Sequence, residues 1–169
     1  MQPQELIRGV LTRDLRALQR ELEAYPDEGK VWELPSGISN SAGCLVLHLT
    51  GNLQSFVGAT LGDTDYVRDR RAEFSLRDVP RAEMIRTLQQ TEAVVDETLR
   101  GLPDESLDQP FPIDFGGTRV STLDFLIHLS THLAFHLGQV DYHRRLVTGD
   151  NQPVGVVAIP ELASARATE

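Results

Sequence analysis

Four stretches of this chain place apolar residues at three- and four-residue steps, and none alternates apolar with polar as a half-buried strand does. In the first, from about Pro3 to Tyr25, Ile7, Leu11, Leu15, Leu18, Leu22 and Tyr25 share one helical face. Pro3 suits a first helical turn, and Pro26-Asp27-Glu28-Gly29 stops the pattern. The second opens at Ser39, Asn40 or Ser41 and runs to about Leu61, with Leu45, His48, Leu49, Asn52 and Phe56 inward. Gly51 and Gly58 weigh against its interior, by about 1 kcal/mol each relative to alanine. The third begins at Asp78 and Pro80 and ends near Arg100, striped by Met84, Leu88, Thr91, Val95 and Leu99. The fourth starts at Ser121-Thr122-Leu123-Asp124 and reaches about Val147, ahead of Gly149.

Such stripes are buried by packing helix on helix, so the expected fold is all-α: an antiparallel four-helix bundle over residues 1–149. The connections 62–79 and 104–120 are long, which points to an order other than plain up-down-up-down. Residues 150–169 carry Pro153 and Pro160 and read as an extended or partly disordered tail.

The net charge of −9 disfavours nucleic acid and acidic membrane surfaces as partners. The one basic cluster, Arg68, Arg70 and Arg71, is interrupted by Asp69 and followed by Glu73. It reads as a solvated face, with an anion grip for a carboxylate-bearing ligand as the sharper alternative. Cys44 is the single cysteine, so no intramolecular disulfide forms. With no basic-then-apolar leader and no run of about 18 apolar residues, the expectation is a cytoplasmic protein without a membrane segment.

The chemistry sits in the fourth stretch, at His132-Leu133-Ala134-Phe135-His136. Histidines four apart on a helix lie one turn apart on one face, where both imidazoles reach a single cation. His48, alone in an apolar run, is placed to join them if its helix packs opposite. Three imidazoles with an open fourth position are the catalytic rather than the structural pattern for a divalent metal. The plain alternative is three hydrogen-bonded core histidines. Flanking Leu126, Ile127, Leu129, Leu133, Leu137 and Val140 suggest a largely buried helix, and unpaired buried imidazole nitrogens would cost about 1–3 kcal/mol each.

His128 lies on the trailing edge of the stripe, with Asp124 one turn before it as a possible partner. His143, beside Arg144 and Arg145, is expected on a solvated or interfacial face, and Asp141 on the solvated one. Cys44, one turn before His48, is a fourth ligand or reactive thiol at most, and more ordinarily a small buried hydrophobe. There is no H-E-x-x-H, no paired Glu-x-x-His, no phosphate loop and no nucleophile elbow.

Trp32 ahead of a Pro-Gly connection, Ser39-Asn40-Ser41 leading into the helix of His48, and the run Thr131 to Gln139 resemble the DinB-like superfamily of four-helix bundles. The resemblance spans most of residues 3–149. It implies a divalent metal, zinc or nickel foremost, held by His48, His132 and His136. Asn52, Gln139, His128 and Trp32 become candidates for outer contacts or pocket walls. The activity implied is transfer of a low-molecular-weight thiol to a small-molecule substrate, or hydrolysis, by a homodimer. The alternative is a non-catalytic dimeric bundle, stress-related, whose metal is structural or absent.

Overall fold

A computed structural model describes residues 2–167; Met1 of the expected bundle and Thr168 and Glu169 of the expected tail lie outside them. Five helices form: α1 (Pro3–Glu23), α2 (Ala42–Leu53), α3 (Arg70–Ser75), α4 (Arg81–Gly101) and α5 (Thr122–Thr148). Ser41 and Ser121 each accept a backbone N–H through the side chain at the starts of α2 and α5. Gly149 ends α5 in the left-handed conformation its missing Cβ permits. Among the described residues the only β pairing is an isolated bridge between Pro110 and Ser121. No described helix is long and apolar enough to cross a membrane.

α1 packs on α4 and α5, and α2 packs on the same two, so α1 and α2 sit diagonally. Cross-helix bonds give the directions. Gln4 reaches Leu102 and Asp104, Arg16 reaches Glu92, and Arg81 reaches Tyr25, so α1 and α4 run antiparallel. Glu21 meets Arg144, so α1 and α5 run together. His48 meets His132 while Phe56 meets Phe125, so α2 opposes α5; Gln54 bonds Thr91 and Gly58 lies by Val94, so α2 follows α4. The order is up, down, down, up. Because α2 and α4 run the same way, the chain between them must travel back along the bundle. That return path carries α3, laid against α2.

α2 does not stop at Leu53. It widens into a π-helical turn at Gln54–Ala59 and closes at Thr60–Gly62. A π turn inserts an extra residue, which re-aims side chains and is frequent at functional sites. Here it carries Phe56, which packs edge-on against Phe125 and Phe111.

Two features of α5 depart from the sequence reading. The helix is buried on one face rather than largely buried: Leu126, Leu129, Leu133, Leu137 and Val140 are inside, whereas Ile127 is 48% and Phe135 63% exposed. His143 is not solvated but buried. Its Nδ1 accepts from the Tyr25 hydroxyl at 2.7 Å and its Nε2 donates to the Glu33 carbonyl at 2.9 Å. It falls on the inward stripe three residues after Val140, and its charged neighbours are engaged elsewhere. Arg144 is fully buried on Glu21, and Arg145 pairs with Asp141, which is itself only partly exposed.

Residues 150–167 lie along α1, largely extended, with a 3-10 turn at Ile159–Glu161 among their bends. Arg20 donates to the carbonyls of Val154 and Gly155 and pairs with Glu161. Trp32 lies against the backbone of Gly43 at the start of α2, where an added Cβ would come within 2.7 Å of the indole. A rigid, half-buried ring cannot yield by that much. Gly43→Ala is therefore expected to destabilise the fold by about 1–3 kcal/mol, read from a denaturant midpoint shift at constant m.

A three-histidine candidate metal site

His48, His132 and His136 come together between α2 and α5, with one ligand nitrogen from each within 4.8 Å of the others. The ring centroids are 5.1, 5.5 and 4.6 Å apart and the rings stand nearly perpendicular, at 81°, 90° and 87°. The close pair is Nε2 of His48 to Nε2 of His132, at 3.3 Å. Two ligand nitrogens on a tetrahedral zinc, each about 2.0–2.1 Å from the ion, are roughly 3.3–3.4 Å apart. The donor set therefore fits a divalent cation, and among the described residues no cysteine or carboxylate completes it into a four-ligand group.

The polar surroundings fix which nitrogens are free. A carboxylate only accepts, so Glu73 Oε2, 3.0 Å from His48 Nδ1, holds the proton there and leaves the Nε2 lone pair bare. Gln139 Oε1, 2.6 Å from His136 Nδ1, does the same for the second ring. Glu73 is itself clamped by Arg68, whose guanidinium donates to both its oxygens at 2.6 and 2.9 Å. Burial raises Glu73, but the bonds from Arg68 and His48 outweigh it and hold the carboxyl below its ordinary value.

Burial also lowers His48, against the pull of Glu73, so their contact is a neutral imidazole donating to a carboxylate. His132 is pushed down to about 4, first by burial and then by repulsion from the neighbouring histidines. Both rings are thus in the neutral, ligating form at neutral pH.

Glu73 was not legible as a site residue, and Arg68 only as a member of a basic cluster, not as a clamp on a carboxylate. They stand on and just before α3, in a stretch that reads as a long charged loop with at most one short helical turn, and only the return path of the chain lays α3 on α2. Arg68 is not on the solvated face that its cluster reads as: its side chain is only 16% exposed, and its guanidinium is spent on Glu73 rather than on an outside anion. Gly51 now has a reason: a Cβ there would meet Glu73 Oε1 at 2.3 Å. Glu73→Ala is expected to weaken metal affinity by about 10–100-fold in a chelator competition, with Glu73→Gln, which keeps an acceptor, losing less.

The other candidates are spread around this centre. Asn52, one turn past His48, is buried, and its Oδ1 has no hydrogen-bond partner among the described residues. His128 is exposed, stacked between Phe125 and His132 at 5.7 and 6.1 Å, outside the ligand group. Its expected partner Asp124 is exposed and makes no bond to it among the described residues. Trp32 packs on Gly43 rather than walling the site. The Cys44 thiol is buried and raised, chiefly by burial, with Sγ 3.5 Å from the Glu73 carbonyl and 3.6 Å from Asn40 Oδ1, so it behaves as an inert packing group.

With this geometry in place, comparison with known proteins adds one match. The family model described as mycothiol-S-transferase covers residues 6–149. The chain belongs to the mycothiol S-transferase family. That family lies within the DinB/YfiT-like superfamily, which agrees with the helical fold and with the residues that resemble it. No curated protein and no solved structure matches the chain. The matched span contains all three histidines together with Glu73, Arg68, Asn52 and Gln139, and it ends where α5 does.

Proposed function

We propose that this protein transfers a low-molecular-weight thiol, mycothiol by its family, to an electrophilic small molecule, using a divalent metal held by His48, His132 and His136. The observation that carries the reading is the trio of converging imidazoles, with a 3.3 Å Nε2–Nε2 pair and, among the described residues, no fourth protein ligand in the group. His48, His132 and His136 would hold a divalent cation, zinc or nickel by their imidazole nitrogens, and its charge would lower the pKa of a thiol beside it toward neutral.

The chain's own residues supply the rest. Glu73 and Gln139 orient two rings through their Nδ1 atoms. The buried, unpartnered Asn52 Oδ1 is an acceptor for a donor group on the incoming ligand. Phe74, 5.0 Å from His48, and the Phe56–Phe125 wall keep water from the α2 side. A single, buried cysteine and thiol-based chemistry suit a cytoplasmic setting. The outer face of α5 between Asp124 and Asp141 bears no charge and exposes Ile127 and Phe135, which supports pairing with a second copy in a chain of net charge −9.

The test is thiol consumption by zinc- or nickel-loaded protein given mycothiol and a reactive electrophile. Metal-dependent consumption, lost in the metal-free protein, supports the reading. Full metal occupancy with no consumption above the uncatalysed rate, across a panel of electrophiles, would replace it with a metal-stabilised bundle without catalysis.

A further inference from the structure

A groove of about 500 Å³ opens beside the metal site, between the 37–45 segment and the end of α5, and the His136 ring forms part of its wall. In a chain where 24% of residues are charged, its lining contains no aspartate, glutamate, lysine or arginine. Apolar groups supply most of the wall, Ile38, Leu45, Leu146 and the ring of Tyr142 among them; of its polar side chains Gln139 is bonded to His136 and His143 to Tyr25 and Glu33, which leaves Ser39 and Asn40. The volume is that of a site for one small molecule, and such a wall desolvates an apolar body cheaply and a charged one at high cost.

On the other flank of the histidines, Phe111, Phe115 and Phe125 fill the space against one another at 4.2–6.1 Å. We infer that this groove seats the electrophile of the transfer, and that it selects an uncharged, largely apolar electrophile over an anionic one. The inference rests on the thiol-transfer reading. A polyhydroxylated thiol would need more hydrogen-bond partners than this wall offers, which leaves the groove to the other substrate. For an α-halo ketone the step balances simply. The thiol gives its proton to solvent, sulfur forms a bond to the halogen-bearing carbon, and the carbon–halogen bond breaks with the halide taking its electron pair.

Leu146 is the position to test, because it lines the groove yet is 61% exposed, so a charged residue there does not threaten the core. Metal-loaded wild type, Leu146→Glu and Leu146→Arg are compared in two ways. Acetophenone, an unreactive neutral probe, is titrated by calorimetry without thiol. Phenacyl chloride and its para-carboxylate are then used as electrophiles with mycothiol.

The expected result is acetophenone binding weakened about tenfold by Leu146→Glu, and a wild-type preference for the neutral electrophile that Leu146→Arg shifts toward the carboxylate by about tenfold in kcat/KM. Both variants keep their metal and their KM for mycothiol. Acetophenone binding that depends on Leu146 with no transfer in any protein supports the groove while removing the thiol-transfer reading. Transfer with unaltered preference in both variants overturns the groove. So does a change in KM for mycothiol in place of one for the electrophile, which would assign the groove to the thiol.

Discussion

Replacing His132 with alanine is expected to take metal content from about one divalent ion per chain to background while the helices stay folded. His132 supplies the nitrogen 3.3 Å from His48 Nε2, and without it the remaining pair spans only α2 and the next turn of α5. The ring is partly exposed, so its loss leaves no sealed cavity. Metal analysis by mass spectrometry, with circular dichroism as the folding control, reads the result. The stabilisation that metal gives the wild type should vanish with it, about 2.7 kcal/mol when free metal stands at 100 times its Kd.

pH gives an independent view of the same ring. His132 titrates near 4 in the folded chain against about 6.5 unfolded, so between these values the unfolded state binds more protons. Stability of the metal-free wild type therefore rises with pH across that window and is lost as pH falls through it. The His132→Ala variant should show a flatter profile there. An unchanged profile would remove the half-buried, neutral imidazole from the account.

The second large effect is expected far from the site. Arg144 is wholly buried, with Nε 2.5 Å from Glu21 Oε2 and further bonds to Asp141 and to the carbonyls of Asp150 and Gln152. Burial disfavours the Arg144 charge, and its contact with Glu21 more than restores it. Burial likewise pushes the Glu21 carboxyl up, and Arg144 holds it back. Arg144→Met leaves that carboxylate buried without its cation and is expected to cost about 3–5 kcal/mol, a fall in Tm on the order of 10 °C.

The deficit should shrink as pH is lowered toward about 5, because an unpartnered Glu21 folds most readily in its protonated form. The double variant Glu21→Met, Arg144→Met should recover most of the loss, since neither charge then remains inside. A double variant as weak as the single one would show that the lost contacts were to the chain after α5, not to Glu21.

The amino-acid sequence by itself determined the four long helices, a cap within residues 39–41 and another at Ser121, and the pairing of His132 with His136. Each of these is written in steps of three and four residues, the period at which neighbours on a helix meet. The same local signal placed His48 on the inward face of α2. What it could not encode is which faces meet across the bundle, because that depends on direction and order as well as on periodicity.

The tertiary structure decided the rest. The parallel run of α2 and α4 brought α3 back along α2 and set Glu73 and Arg68 behind His48, 25 and 20 residues away. The π turn aimed Phe56 into the aromatic wall. Burial of Arg144 on Glu21 left His143 facing inward to Tyr25, where a string of charged neighbours reads as solvent. Each of these rests on contacts between residues distant in sequence, and a charge reads as exposed until its partner, supplied by another helix, is known.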